Sequence, residues 1–155
     1  MTVTHGDARY ELDDDWWEEA GMAGFLPTRR AFRAATAAFP DLDVVEVAVA
    51  EVKPVDRQLS HGVFNDSPSA GTARQRVVHI LKGFRDDSPI PPVELLRLPE
   101  GRYQYELYHG AHRFYCAVAA GFSAVPAVDV THRPTGVVDL DAPEAAEQGD
   151  EADER

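Results

Sequence analysis

The sequence predicts an α+β fold, a small mixed sheet with helices packed on it. Three observations carry that prediction. Residues 44–49, VVEVAV, form a β-branched and alternating run that reads as a strand. Val77, Ile80, Leu81 and Phe84 recur at helical spacing and predict an amphipathic helix over 74–85. Beyond it, short apolar runs at 93–98, 103–108 and 125–130 are set apart by turn residues and by one Ala-rich stretch, which predicts three more strands with a helix before the last.

Taken in chain order, residues 10–39 show helical spacing in two pieces. Leu12, Trp16, Trp17 and Ala20 make the first, and Phe32, Ala35, Ala38 and Phe39 the second, with Pro27 and Pro40 as punctuation. This predicts a helical N-terminal extension over 1–43. The triple Asp before Trp16 suits a helix N-terminus, where carboxylates meet the positive end of the dipole. The Trp pair reads as cover for a core or a subunit interface, so an oligomer through these helices is one expectation; a ligand-facing role is the alternative. After the strand at 44–49 comes a loop around Pro54, then a Ser/Gly/Asn-rich loop at 60–73. On the 74–85 helix Arg76 and His79 fall off the apolar stripe. SPIPP stops that helix, PEGR at 99–102 turns a hairpin, Gly121 ends an Ala-rich helix over 114–120, and no internal repeat is visible.

The chain of 155 residues suits one core, and its 44% hydrophobic and 9% aromatic content is enough to fill it. No apolar run approaches the ~18 residues of a membrane span, and the first residues lack the basic and then apolar pattern of a signal peptide, so a cytoplasmic location is expected. One cysteine, Cys116, excludes an internal disulfide and a cysteine-based zinc module. The net charge of −12 is concentrated at the ends: seven acids lie in 1–23 and eight in 139–155, leaving 12 acids against 13 bases between. The segment 134–155 therefore reads as an acidic, disordered tail. Only two of the bases are lysines and no basic cluster is interleaved with aromatics, so a nucleic-acid groove is not expected.

The most informative stretch is ELYHGAHRFYCAVAAG at 106–121, a strand, a glycine and a helix. Gly110 allows a tight turn, and the amides that open the helix make an anion site to which Arg113 adds a bidentate fork and His112 another donor. Phosphate is the expected guest. Such a Gly-x-His-Arg is weak by itself, since strand-to-helix turns with glycine are common.

Its setting strengthens it. A strand ending near Val49, a helix at 74–85, a Pro-Pro followed by a strand, a hairpin, the Gly-x-His-Arg helix start and a closing Val-Pro-Ala strand together resemble the ParB/sulfiredoxin superfamily over about 44–130. RVVHILKGFRDDSPIPPVELLRL is similar to the helix and Pro-Pro strand of sulfiredoxins, and YHGAHRFYCA to their phosphate turn. The resemblance implies a ParB/sulfiredoxin-like nucleotide-binding domain over 44–133. Ala111 stands where sulfiredoxins keep the attacking cysteine, which excludes their chemistry, and Cys116 reads as a small buried hydrophobe. ParB proteins bind CTP with a related turn but continue into a DNA-binding domain, where this chain has its acidic tail. Stand-alone free serine kinases match at Gly110, His112 and Arg113, while His109 replaces their Asp.

The resemblance therefore implies a nucleotide-dependent phosphotransferase acting on a small hydroxylated molecule, a free amino acid among the candidates. Its nucleotide would be ATP or ADP, or alternatively CTP, with Mg²⁺. The phosphates would lie at His109, Gly110, Ala111, His112 and Arg113. Asp56, in the loop after the first strand, falls where the serine kinases carry their base; a turn hydrogen bond is its alternative role. Arg57 could meet a phosphate or solvent, and Arg76 and His79 roughly match nucleotide contacts of sulfiredoxins or are polar-face charges. No metal-ligating cluster is assigned. A non-catalytic nucleotide-binding module is the second reading and a nuclease the third.

Overall fold

The computed structural model describes residues 1–55, 63–69 and 71–132. Among the described residues there are two sheets and three α-helices. The main sheet is mixed, in the order β3 (Val45–Ala48), β6 (Ala124–Asp129), β4 (Val93–Arg97), β5 (Tyr105–His109). β6 runs parallel to β4 and antiparallel to β3, while β4 and β5 form the expected antiparallel hairpin. A second sheet, the hairpin of β1 (Thr2–His5) and β2 (Ala8–Glu11), precedes α1 (Asp14–Glu19). Two longer helices, α2 (Ala73–Arg85) and α3 (Ala111–Ala120), complete the fold.

The helix ends follow local chemistry. Asp13 caps α1 by accepting from the amide of Asp15. Thr72 and Gln75 form a reciprocal capping box at the start of α2. At its end Asp87 takes a left-handed φ of 55°, and the amide of Ser88 bonds back to the carbonyl of Gly83 at 2.8 Å, which stops the helix before the Pro-Pro strand. The apolar stripe of α2, Val77, Ile80, Leu81 and Phe84, packs with Phe114 and Ala117 of α3 and with Val93, Leu95 and Val125 of the sheet.

The N-terminal region departs from expectation. Two helical pieces were predicted over 10–39; instead a hairpin precedes one six-residue helix, and the chain around Phe32–Phe39 is not helical. The alanines misled the periodicity. Phe32 and Phe39 are buried, but Ala38 is exposed, because a small side chain counts as apolar without needing burial. The backbone groups find partners elsewhere: the amide of Ile90 donates to Arg33 and the amide of Ala35 to Ile90, so a β-bridge replaces the helical ladder. Leu12, Ala20, Met22 and Phe32 nevertheless enter the main core, with Trp16 and Trp17 half-buried against it, which supports the covering role expected of the Trp pair. The predicted acidic tail at 134–155 lies outside the described residues.

His5 ties the first hairpin to α3. Its Nε2 lies 3.2 Å from the Val49 carbonyl, which only accepts, so Nε2 carries the proton and Nδ1 accepts from the Tyr115 hydroxyl at 3.0 Å. That hydroxyl accepts in turn from the amide of Val55 at 2.9 Å, and Tyr10 donates to the Tyr115 carbonyl. Burial lowers the His5 pKa from the ordinary 6.5, against the opposing pull of the Val49 carbonyl. Because the folded state resists protonation, the stabilisation is complete above about pH 6.5 and is lost as pH falls from there through the depressed folded value. Substituting His5→Gln should cost ~1–3 kcal/mol at neutral pH. The difference in melting temperature between native chain and variant should shrink as the pH is lowered below ~6.5; a difference independent of pH would exclude His5 as the responsible group.

Candidate functional site

The strand-to-helix turn at Gly110 is a single residue, since β5 ends at His109 and α3 starts at Ala111. Its φ of 101° is a glycine conformation, and an added Cβ would lie 2.7 Å from Arg113 Nη2 and 3.1 Å from Val93 Cγ1. The first helical bond runs from the Phe114 amide to the Gly110 carbonyl, so the amides of Ala111, His112 and Arg113 precede the ladder. No side chain caps this helix at Gly110, in contrast to the caps that Asp13 and Thr72 supply to α1 and α2.

Ionisable side chains converge on this turn. The buried polar or charged residues among those described are His5, Arg76, Glu94, His112 and Arg113, and all but His5 belong here. His112 Nε2 accepts from the amide of Asn65 at 3.1 Å, which makes Nδ1 the protonated nitrogen, and its ring packs against Phe64. Arg76 reaches the same residue from α2, donating to the Asn65 carbonyl at 3.0 Å and to its Oδ1 at 3.1 Å. Arg113 Nη1 donates to the carbonyls of Pro91 at 3.2 Å and Pro92 at 2.9 Å. Glu94 Oε2 stands 3.4 Å from His109 Nδ1, the carboxylate being 2% exposed and the imidazole 26%.

That last pair depends on an irregularity in β5. Leu95 pairs with Leu107 but Glu94 pairs with His109, so the register shifts by one residue between them. A regular ladder would have set Tyr108 opposite Glu94. The extra residue sends Tyr108 outward and brings His109 to the carboxylate, as bulges beside functional sites commonly do.

Of the residues predicted from sequence, the structure brings His109, Gly110, Ala111, His112, Arg113 and Arg76 into one region. Two roles need correction. Arg76 is not a polar-face charge; it is buried, because the 63–69 segment folds over it and supplies the Asn65 acceptors. Arg113 turns inward, beneath Gly110, and grips the Pro-Pro carbonyls. His79 is on the exposed side of α2, and Asp56 and Arg57 lie outside the described residues. Cys116 is buried in the core as expected. Glu94 and Asn65 escaped the sequence reading. An acid inside the apolar run VELL was a usable signal for the first, whereas an Asn in a polar loop carries none.

Comparison of the chain with family models, curated proteins and solved structures finds no match. Among the described residues no helix is long and apolar enough to cross a membrane.

The inward course of Arg113 sets an expectation about stability. Arg113→Ala should lower it by at least ~2 kcal/mol, because one buried and one partly buried carbonyl lose their donor and a void opens beneath the turn. Gly110→Ala should also melt lower. Chemical denaturation of each variant checks this, and an unchanged midpoint for both would contradict the packing described.

Proposed function

We propose that this chain is a nucleotide-dependent phosphotransferase of the ParB/sulfiredoxin kind, acting on a small hydroxylated acceptor. The observation that carries the reading is the concentration of buried ionisable groups at the start of α3. Taking charged side chains out of water costs several kcal/mol each, and such clusters occur where ligand chemistry requires them. Three of these groups, Arg76, His112 and Arg113, are donors. They adjoin the positive end of a helix whose N-cap, Gly110, has no side chain to cap it, the combination that suits a phosphate chain.

ATP or ADP is the favoured nucleotide and CTP the alternative. Mg²⁺ would be held chiefly by the phosphates and water, with one carboxylate at most, and would offset charge during transfer. Two groups are candidates for accepting the hydroxyl proton. Asp56 keeps the role that the resemblance implies. His109 is the other: its Nδ1 makes no hydrogen bond but lies 3.4 Å from Glu94 Oε2, near enough for a small turn of the ring to pair them and leave Nε2 as the base.

A non-catalytic nucleotide-binding module is favoured by a different observation. His112 and Arg113 already hold internal partners, so contact with a ligand would rearrange the turn and its neighbours, which is how a switch works.

Thermal-shift titration with ATP, ADP, CTP and GTP, with and without Mg²⁺, tests the binding that both readings need. A ligand at 100 times its Kd stabilises by ~2.7 kcal/mol, equivalent to roughly 5–10 °C for a chain of this size. No shift with any nucleotide would defeat both. Given binding, phosphorylation of a small hydroxylated acceptor supports the enzyme. In that case the base is whichever of Asp56→Asn and His109→Asn lowers kcat ~100-fold while leaving nucleotide affinity intact.

A further inference from the structure

One concave feature of the described residues shares no lining residue with the α3 turn. It is a cleft of about 250 Å³ between the 25–33 segment, the C-terminal end of α2 and Phe122. Its floor is aromatic. Phe32 and Phe84 have ring centroids 5.0 Å apart, Phe84 and Phe122 5.2 Å, and Phe25 stands 6.1 Å from Phe122. Its mouth is polar and charged, with Arg29, Arg33, Arg85 and Asp87 at the rim. We propose that this cleft binds a small monocyclic carboxylate, the ring against the phenylalanines and the carboxylate at Arg29 and Arg33.

Size restricts the ligand first. An apolar cavity of ~150 Å³ accepts a benzene molecule, so this volume holds one ring and a short acidic arm but no nucleotide. The floor rings pack on one another and so form a fixed apolar surface for a ligand ring to meet, and Leu26 at the lip, 79% exposed, is placed to cover a bound ring.

Charge restricts it further. Arg85 is already committed, through two bonds to Asp86 of 2.8 and 3.1 Å and one to the Ala20 carbonyl. Arg29 and Arg33 are held only loosely: Arg29 Nη1 is 4.0 Å from Asp87 Oδ1, and Arg33 Nη1 is 3.4 Å from the Asp87 carbonyl. With Asp87 counted, the two guanidinium groups leave one uncompensated positive charge at the mouth. A monoanion matches it, whereas a phosphate dianion would meet the Asp87 carboxylate with excess charge. Asp87 is held at this lip by its left-handed φ, the one such non-glycine conformation among the described residues. Planar guanidinium forks suit a carboxylate better than a point charge would.

The test is a titration of the full-length chain with phenylacetate, followed by amide chemical shifts, with phenylacetamide as the uncharged control. The expected result is saturation with a Kd near or below ~1 mM, as a ligand of about ten heavy atoms allows, and with shifts concentrated at Gly83, Phe122 and Arg33. Phenylacetamide should bind ~10-fold more weakly, and the exposed double substitution Arg29→Gln with Arg33→Gln should weaken phenylacetate by a similar factor at an unchanged melting temperature. Asp87→Gly removes the competing carboxylate at a position that prefers glycine, and it should tighten phenylacetate binding. Equal binding of acid and amide, saturable shifts confined to the α3 turn, or no saturable shift at all would each overturn the proposal.

Discussion

The guanidinium of Arg113 is the contact on which the geometry of this domain turns. It sits fully buried beneath Gly110 and donates to two consecutive carbonyls, those of Pro91 and Pro92. Prolines have no amide with which to enter a ladder, so this pair cannot be anchored as an ordinary strand would be. Arg113 supplies the anchor from α3. The consequence runs outward in both directions: the helix must begin at Ala111, the strand must end at His109, and position 110 must lack a Cβ.

With both ends of that turn set, the register of β5 follows. The one-residue shift against β4 delivers His109 to Glu94. On the other side His112 is directed at Asn65, which Arg76 holds from α2. Loop, helix and hairpin are thus linked through polar groups where apolar packing would usually suffice. A buried network of this kind stabilises only when its members are satisfied, and it demands one arrangement of its neighbours. That requirement makes the region a poor choice for stability alone, which is the ground of the ligand site we propose there.

The two helices also divide the molecule into a polar end and an aromatic end. The N-terminal part of α2 and the start of α3 carry the polar cluster, while the C-terminal end of α2 and the residues after α3 wall the aromatic cleft. The N-terminal segment completes that cleft as a non-helical chain that bends at 28–31 and bridges to Ile90 at Ala34. A helix over 32–39 would have kept its backbone bonds to itself and left Ile90 without this partner, so the failure of the helical prediction and the existence of the cleft have a common cause.

Local pattern was sufficient for the main sheet and for α2 and α3: α2 marks its buried stripe by helical spacing, while β4 and β6, buried along most of their length, read as short apolar runs bounded by turn residues. It failed for 32–39, where alanines matched a helical period without the burial that gives a period meaning. Gly110 was legible as the site's turn, since only glycine tolerates that backbone, and Arg113 was legible as a residue of the site. Its direction was not. A long side chain can serve the outside or the inside of a turn, and the choice depends on carbonyls about twenty residues earlier in the chain. Glu94 and His109 were likewise separate facts until a bulge joined them, and no local pattern announces a one-residue shift between strands. The amino-acid sequence alone determined the elements of the main sheet, the two longer helices, the turn and the kinds of groups assembled there. The tertiary structure decided which of those groups face one another, because that depends on partners which only the folded chain brings within reach.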